Sequence, residues 1–291
     1  MPHHPPNLLF IYTDEQAFNT LAAYGNNQID MPNLNRLAAQ SVVFDQAYVT
    51  QPVCTPSRST LLTGLYPHTN GCIKNNVPLA LDMPCLPEMI PDSPYVTAHF
   101  GKWHLGDELY AQHGFQHWIG IEDGYNQHFR ADKDQSKRSD YHHFLIENGF
   151  TPQKGDTFGR GEAARLPEAF GKPAFLAREA TRFLRQNQGN PFMLYVNFLE
   201  PHMPFFGPRD DQYDPDDIPL PPNFENPPGP SQPLKARLLC ENYRRNAGMA
   251  QESDWRRLIA NYWGLCSLID THIGTILDTL DALGLRDNTL V

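Results

Sequence analysis

The sequence has few cysteines and no excess of basic residues, and both shortages exclude classes of protein. Its five cysteines are an odd number at irregular spacing, and no Cys-x-x-Cys pair is present. Neither a disulfide framework nor a zinc finger is therefore indicated, and the cysteines other than Cys54 are expected to be reduced residues of the core or near the surface. The net charge is −10, with 23 basic and 33 acidic residues. Because a general nucleic-acid binder is basic, no nucleic-acid partner is expected, although a locally positive pocket for a small anion is compatible with this charge.

Long apolar runs are also missing. Residues 1–6 contain no apolar signal region, and no apolar run approaches the length of a membrane span. The chain is therefore expected to be soluble and cytoplasmic, with no membrane partner. Proline is abundant by contrast. Many of the 27 prolines lie in residues 207–233, which are rich in Pro and Asp and predict a long surface loop.

The length of 291 residues suits one large α/β domain. Short apolar runs predict strands, and the stretches between them predict helices or loops. Strands that alternate with helices predict a mainly parallel central sheet with helices on both faces. The predicted strands are residues 8–13, 42–49, 95–100, 192–198 and 288–291.

Helical periodicity is clearest near the end of the sequence. Leucine and isoleucine recur at helical spacing after Asp254, which predicts a long amphipathic helix. Asp270 and His272 fall in this helix and are expected to be solvated or locally paired. Asn33 is expected to cap a shorter helix. Residues 107–165 are polar and are expected to form loops that cover a pocket.

Polar residues follow three of the predicted strands. Asp14 and Glu15 follow the first, Lys102 and His104 follow residues 95–100, and His202 follows residues 192–198. In open α/β sheets, ligands bind outside the carboxyl ends of the strands, so these side chains are candidates for a common site. Taken singly, each has a simpler interpretation, as a helix cap, a surface group or a loop residue.

Cys54-Thr-Pro-Ser-Arg58 leads into Ser-Thr-Leu-Leu-Thr-Gly64. Pro56 suits the first turn of a helix, so residues 57–62 are expected to be helical, with Cys54 just before the N-terminus. That end of a helix carries partial positive charge and attracts anions. Arg58 lies one turn away. The segment therefore predicts a nucleophile beside an oxyanion site, and a buried core cysteine on a turn is the alternative.

Four segments together resemble one enzyme family. Cys-x-Pro-Ser-Arg followed by Leu-Thr-Gly is similar to the signature of the type I sulfatases, which belong to the alkaline-phosphatase-like superfamily. Gly-Lys-Trp-His-Leu-Gly at residues 101–106 and Pro-His-x-Pro-Phe at residues 201–205 also resemble segments of that family. The opening Pro-Asn, an apolar run and Asp14 match a fourth segment, and all four occur in the family's order.

The resemblance implies a modified nucleophile and a metal. Cys54 would be oxidised after synthesis to formylglycine by a maturation enzyme, and one hydroxyl of its hydrate would attack the sulfur of a sulfate ester. The divalent metal, Ca²⁺ or another cation such as Mg²⁺ or Mn²⁺, would be bound by Asp14, Glu15 and residue 54. The substrate would be a small-molecule or saccharide sulfate ester.

The resemblance also implies roles for four further residues. Lys102 would bind the sulfate, and Arg58 would help to hold the charge that develops on its oxygens. His202 would protonate the leaving alcohol. His104 would then take a proton from the second hydroxyl of residue 54 and so expel sulfate.

The resemblance covers only the N-terminal part of the family's catalytic domain. In that family, the strand that begins here at residues 288–291 continues to an Asp followed by Asn or His, which complete the metal site. Residues 1–291 are therefore expected to form a single, incomplete catalytic domain, as a fragment or as a natural truncation.

Three other functions remain open from the sequence. A phosphonate or phosphate monoester hydrolase of the same superfamily can share the cysteine motif. An inactive, truncated sulfatase-like protein could bind anions without catalysis. A redox or cysteine-nucleophile enzyme has less support, because no second cysteine and no recognisable orienting partner accompany Cys54.

Overall fold

The computed structural model describes residues 5–90, 93–246, 248–249 and 251–291. Residues 1–4, part of the stretch predicted to lack a signal region, lie outside these ranges. Within the described residues, strands and helices alternate along much of the chain. The strands are β1 (Asn7–Thr13), β2 (Val96–Gly101), β3 (His117–Ile119), β4 (Phe192–Phe198) and β5 (Thr289–Leu290). The helices are α1 (Pro32–Ala38), α2 (Cys54–Thr63), α3 (Pro67–Asn70), α4 (Asp140–Glu147), α5 (Arg160–Ala163), α6 (Lys172–Gln186), α7 (Leu234–Asn246) and α8 (Glu252–Ala282).

These strands form one parallel sheet in the order β3-β2-β4-β1-β5. Leu194 of the central strand β4 lies between Leu9 of β1 and Ala98 of β2. Successive strands of the chain are therefore not always neighbours, and helices connect them across the sheet. The predicted α/β class with a parallel sheet is confirmed.

Helices cover both faces of the sheet, as predicted. Along β1, Leu9 and Ile11 face a core to which α6 and α8 contribute. Leu8 and Phe10 point to the opposite face, where they pack in a cluster with Leu62 of α2. A strand buried on both faces needs apolar side chains at successive positions, which explains the continuous apolar runs in the sequence.

The prediction of a strand at residues 42–49 is wrong. All of these residues are described, and they form no strand. Val42 is 80% exposed, Phe44 is 69% exposed and Tyr48 is 86% exposed. Branched and aromatic side chains favour a strand only where a neighbouring strand and a packed face are available. No strand of the described sheet lies beside this segment.

The long predicted helix is α8, which begins at Glu252 rather than at Asp254. Asp270 within it is buried and paired with a distant segment, so the expectation that it is solvated or locally paired is wrong. Its carboxylate oxygens accept the backbone N–H of Asn33 at 3.0 Å and that of Leu34 at 2.7 Å. Asn33 lies inside α1 and is not its cap. Asp270 therefore satisfies the free N–H groups at the start of α1 from a distant part of the chain.

Residues 107–165 contain more regular structure than predicted, because β3, α4 and α5 lie within them. Ser139 caps α4 by accepting the backbone N–H of His142 at 3.1 Å. Residues 207–233 are irregular, as predicted, apart from the short 3₁₀ turn Pro215–Asp217. Helix α7, which follows, has no counterpart among the predicted helices. Of the helices described, none combines the length and apolar character that crossing a bilayer requires.

Candidate active site

The candidate site lies at the carboxyl ends of three adjacent strands. Asp14 follows β1, Lys102 follows β2, and His202 comes shortly after β4. Strand β4 stands between β1 and β2, and its Phe198 pairs with Thr13 of β1. The strand ends therefore meet at one edge of the sheet, where ligands bind in open parallel sheets.

Gly101 allows the chain to enter this site very close to β4. Its φ is +109°, and a Cβ at this position would lie 1.9 Å from the carbonyl oxygen of Asn197. Lys102 donates its backbone N–H to that same oxygen at 3.0 Å. Because a side chain at residue 101 would collide with the backbone of β4, glycine is required on the path by which Lys102 reaches the site.

The sequence predicts that Cys54 lies just before the helix, but Cys54 is the first residue of α2. The helix follows Val53, which is extended, and ends at Gly64 with a φ of +70°. Pro56 lies in the first turn, where its missing N–H costs no helical hydrogen bond. This position holds the half-buried Cys54 side chain at the positive end of the helix dipole.

Two cations hold the carboxylate of Asp14. Lys102 Nζ donates to Asp14 Oδ2 at 2.5 Å, and Arg58 Nη2 lies 3.5 Å from the same oxygen. All three side chains are buried. Burial raises the pKa of Asp14, but the charges of Arg58 and Lys102 outweigh it and bring the pKa below its usual value. Asp14 is therefore ionised at neutral pH.

The thiol of Cys54 lies beside this group. Its Sγ is 3.8 Å from Lys102 Nζ and 4.0 Å from Asp14 Oδ1. Burial raises the pKa of the thiol, and the nearby charge of Lys102 opposes this only in part. An unmodified Cys54 is therefore protonated at neutral pH. Because the thiolate is the reactive form of cysteine, this environment gives no support to a direct cysteine nucleophile.

His104 is held as a neutral imidazole. Its Nε2 lies 2.8 Å from Asn76 Oδ1, an atom that only accepts hydrogen bonds. This contact assigns the ring proton to Nε2 and leaves the lone pair of Nδ1 free. Burial, followed by the charge of Lys102, lowers the pKa of His104 to about 3. Its backbone N–H is fixed by Glu108 Oε2 at 2.6 Å. The free lone pair of Nδ1 can accept a proton, although the low pKa makes this imidazole a weaker base than an ordinary histidine.

His202 faces oxygen atoms with both ring nitrogens. Nδ1 lies 2.8 Å from the carbonyl oxygen of Met203, and Nε2 lies 3.4 Å from Glu15 Oε1. The backbone of Glu15 has a φ of +65°, and its side chain is 42% exposed. Nδ1 also lies 3.4 Å from Arg160 Nη1, so an oxygen acceptor stands beside each ring nitrogen and a guanidinium stands beside Nδ1.

Three side chains of the site offer potential metal ligands at close range. A carboxylate oxygen of Asp14, the Sγ of Cys54 and a ring nitrogen of His202 all lie within 4.8 Å of one another. Replacement of the sulfur at residue 54 by oxygen would give a donor set better suited to a hard cation. Glu15 is not part of this group, and its role as a metal ligand stays a prediction.

A partly buried bridge of Glu122, Tyr125 and Arg160 joins the two histidines. Arg160 donates to both carboxylate oxygens of Glu122, at 2.5 and 2.8 Å. Its Nη2 also donates to the hydroxyl of Tyr125 at 2.9 Å, and its Nη1 lies 3.4 Å from Nδ1 of His202. The ring of Tyr125 is centred 4.6 Å from the ring of His104. Arg160 is therefore next to one histidine directly and connected to the other through Tyr125.

The predicted site residues thus fall into two sets. Asp14 contacts Cys54, Arg58 and Lys102, with His202 beside this group and Glu15 next to His202, whereas His104 lies against Tyr125 and Asn76. The bridge residues carry no recognisable motif. One signal was available, since Glu122 follows a short apolar run as Asp14 does.

Comparisons with known proteins agree on one family. The family model described as Sulfatase matches residues 6–291. An ulvan-active sulfatase of Formosa agariphila is 27% identical over 300 residues, which cover 98% of this chain and 49% of that protein. The N-acetylgalactosamine-6-sulfatase of Homo sapiens is 29% identical over 226 residues, which cover 70% of this chain and 41% of that protein. The chain spans about half the length of these curated relatives.

Solved structures show the same fold. A phosphonate monoester hydrolase of Agrobacterium radiobacter superposes with a TM-score of 0.73 at 23% identity, covering 98% of this chain and 61% of that one. A protein solved in complex with its substrate D-glucosamine-2-N,6-O-disulfate gives a TM-score of 0.69 at 22% identity, covering 98% of this chain and 64% of that one. At these identities the likeness concerns the fold alone.

Proposed function

Since the chain belongs to the sulfatase family, we propose that the whole protein hydrolyses a sulfate monoester. The contact group of Asp14, Lys102, Arg58 and Cys54 at the positive end of α2 carries this proposal. Two buried cations beside a helix N-terminus suit a sulfate oxyanion. We infer a saccharide sulfate as the substrate class, because relatives are named an ulvan-active sulfatase and an N-acetylgalactosamine-6-sulfatase.

Sulfatases generally use formylglycine and a divalent metal. We infer that a maturation enzyme converts Cys54 to formylglycine, whose hydrate supplies a hydroxyl nucleophile. Asp14, Glu15 and the oxygen of residue 54 would hold Ca²⁺, or Mg²⁺ or Mn²⁺ in its place. Such oxygen donors fit a hard cation, which supplies positive charge to the sulfate oxygens when bound.

Sulfate binding and proton transfer are assigned to different residues of this chain. Lys102 provides a point charge for the sulfate, and Arg58 is positioned by donating to the carbonyl oxygen of Lys102 at 2.7 Å. Both cations are in place before charge develops on the sulfate oxygens, so little reorganisation is needed. His202 donates a proton to the leaving alcohol, and neutral His104 accepts a proton from the hydroxyl of residue 54.

A phosphonate monoester hydrolase is the second candidate. Such an enzyme shares the overall fold with this chain, with a TM-score of 0.73. Its substrate is also a tetrahedral oxyanion ester, for which Lys102 and Arg58 would serve equally.

The test compares an aryl sulfate with an aryl phosphonate monoester. The whole protein is co-expressed with a formylglycine-generating enzyme and assayed with Ca²⁺, and kcat/KM is measured for both substrates. A higher value for the sulfate supports the proposal, and a higher value for the phosphonate supports the second candidate. Turnover of neither substrate, with sulfate bound in calorimetry, would instead support a non-catalytic anion-binding protein.

A further inference from the structure

A second group of metal-ligating side chains lies apart from the candidate active site. The Sγ of Cys85, a carboxylate oxygen of Glu88 and a ring nitrogen of His113 lie within 4.8 Å of one another. Nδ1 of His113 is 3.7 Å from Oε2 of Glu88. Zinc bonds of roughly 2.0–2.3 Å in tetrahedral geometry separate the ligand atoms by about 3.3–3.8 Å. The three side chains are therefore already close to the spacing of a zinc site.

His113 is buried without a hydrogen-bond partner. Its side chain is 0% exposed, and among the described residues neither ring nitrogen has a partner at hydrogen-bond geometry. Glu88 and the carbonyl group of Met83 lie near the ring, but burial has the larger effect and lowers the pKa of His113. A buried, unsatisfied imidazole costs free energy. A metal ion between His113 and Cys85 would satisfy one of its nitrogens.

Two packed segments hold the three ligands. Glu88 Oε2 accepts the backbone N–H of Cys85 at 3.0 Å. This bond closes the turn Leu86–Glu88 and holds the side chains of Cys85 and Glu88 close together. Gly114, which follows His113, is pressed against this turn, and a Cβ there would lie 2.7 Å from Cγ of Glu88. The ligands are thus brought together by backbone packing and not by flexible side chains.

We propose that Cys85, Glu88 and His113 bind a zinc ion. A thiolate, an imidazole and a carboxylate together favour zinc over calcium or magnesium, which prefer oxygen ligands alone. The side chain of Glu88 is 35% exposed, so an ion can enter from solvent and a water molecule can complete the coordination. On binding, the Cys85 thiol loses its proton to solvent and its sulfur bonds to the metal, with no change of oxidation state.

This zinc ion would lie behind the loop that carries Lys102 and His104. The ring of His113 is centred 5.8 Å from that of Trp103, the residue between them, and Trp103 is buried. Zinc would join the turn Leu86–Glu88 to the segment before β3 and so restrain this loop through Trp103. Its role is structural, and it does not depend on the function proposed for the active site.

The test measures zinc binding in chains whose other potential metal site, at Asp14, Cys54 and His202, has been removed. All variants of residues 1–291 carry Cys54→Ala, because Asp14, Cys54 and His202 could also bind zinc. After treatment with a chelator, Zn²⁺ is titrated against a chromophoric competitor, and Co²⁺ is added to detect a sulfur-to-cobalt charge-transfer band. We expect one zinc per chain and a charge-transfer band from the Cys85 sulfur.

The matched variants are Cys85→Ala and Cys72→Ala, which remove buried cysteines of the same apolar cluster. Cys85→Ala should weaken zinc binding at least about 100-fold, because loss of a ligand costs more than loss of an outer partner. It should also abolish the cobalt band, whereas Cys72→Ala should change neither. If Cys85→Ala fails to fold, His113→Gln replaces it, with weaker binding and a shifted cobalt spectrum expected. The proposal would be overturned if the chain with only Cys54→Ala bound less than one-tenth of a zinc ion. Equal zinc binding by the Cys85→Ala and Cys72→Ala variants would also overturn it.

Discussion

The hydroxyl of Thr55 donates to the carbonyl oxygen of His104 at 2.7 Å. The same hydroxyl accepts the backbone N–H of Asn76 at 3.3 Å, and Asn76 in turn holds the ring of His104. Thr55 is fully buried and follows Cys54 in the first turn of α2. One side chain thus fixes the position of the predicted base relative to the predicted nucleophile.

Thr55→Val should therefore reduce both stability and turnover. Valine keeps the shape of threonine but leaves the buried carbonyl of His104 without its donor, at a cost of about 1–3 kcal/mol. The control is Thr63→Val, since buried Thr63 bonds within α2 to Ser59 and lies away from His104. Urea unfolding and kcat are measured for both. If Thr63→Val lowered kcat as much as Thr55→Val, the hydroxyl of Thr55 would have no special role in positioning the base.

Cys54 should be converted to formylglycine when the chain is made together with a maturation enzyme. Peptide mass spectrometry should then show the thiol sulfur replaced by a carbonyl oxygen. A chain produced without that enzyme should keep an intact, protonated thiol, in line with the raised pKa of Cys54. Equal sulfate release by the modified and unmodified chains would show that the nucleophile lies elsewhere.

His202→Ala should affect substrates according to their leaving group. A sugar alcohol needs a proton to depart, whereas nitrophenolate does not, so loss of a general acid should cost ~10²–10⁴ in rate for sugar sulfates only. Lys102→Ala should slow both substrates to a similar extent, because it binds the sulfate that they share. The measurement is kcat/KM for each variant on each substrate, and an equal loss on both for His202→Ala would rule out the acid role.

Arg160→Lys should behave as a milder form of His202→Ala. Lysine keeps the charge beside Glu122 but cannot donate to both carboxylate oxygens and to Tyr125 at once. We expect roughly a tenfold loss of kcat on sugar sulfates, with KM little changed and a smaller effect on nitrophenyl sulfate. Arg178→Lys, a half-exposed arginine paired with Glu179, is the control. Equal losses on the two substrates would indicate a purely structural role for Arg160.

His99 should make stability depend on pH. Burial, with a contribution from the charge of Arg58, lowers its pKa to about 3 in the folded protein, against about 6.5 when unfolded. The unfolded chain therefore binds the proton more readily, so stability is full above pH 6.5 and is lost as the pH falls from 6.5 towards 3, by up to about 1.4 kcal/mol per unit. Urea unfolding at pH 7 and pH 5 should show a smaller difference for His99→Gln. Exposed His143→Gln should leave that difference unchanged, and an equal change in both variants would refute the assignment to His99.

The polar ends of the strands were predictable because burial leaves a clear trace in the sequence. Strands β1, β2 and β4 are mostly apolar, and Asp14, Lys102 and, a few residues on, His202 follow them. Parallel strands bring such ends to one edge whatever the details of packing. The sequence alone therefore predicts that these three side chains lie near one another.

Contacts between distant segments are not predicted by any comparable pattern in the sequence. The hydrogen bond of Thr55 to His104, the cap that Asp270 gives to α1 and the pair of Glu122 with Arg160 each join residues far apart in the sequence. Each depends on packing that no local pattern encodes. Residues 42–49 show the opposite failure, because their strand-like composition meets no neighbouring strand.

The pairing of β1 with β4 also has a consequence for folding during synthesis. Cys54 leaves the ribosome well before residues 192–198, with which β1 pairs, have been made. At roughly 5–20 residues per second, the interval is on the order of ten seconds. Until then, β4 is not available to fix the paths of Asp14 and Lys102 around residue 54. If Cys54 is converted to formylglycine as proposed, an enzyme acting on the unfolded segment would have this interval, and slower translation between residues 54 and 198 would lengthen it.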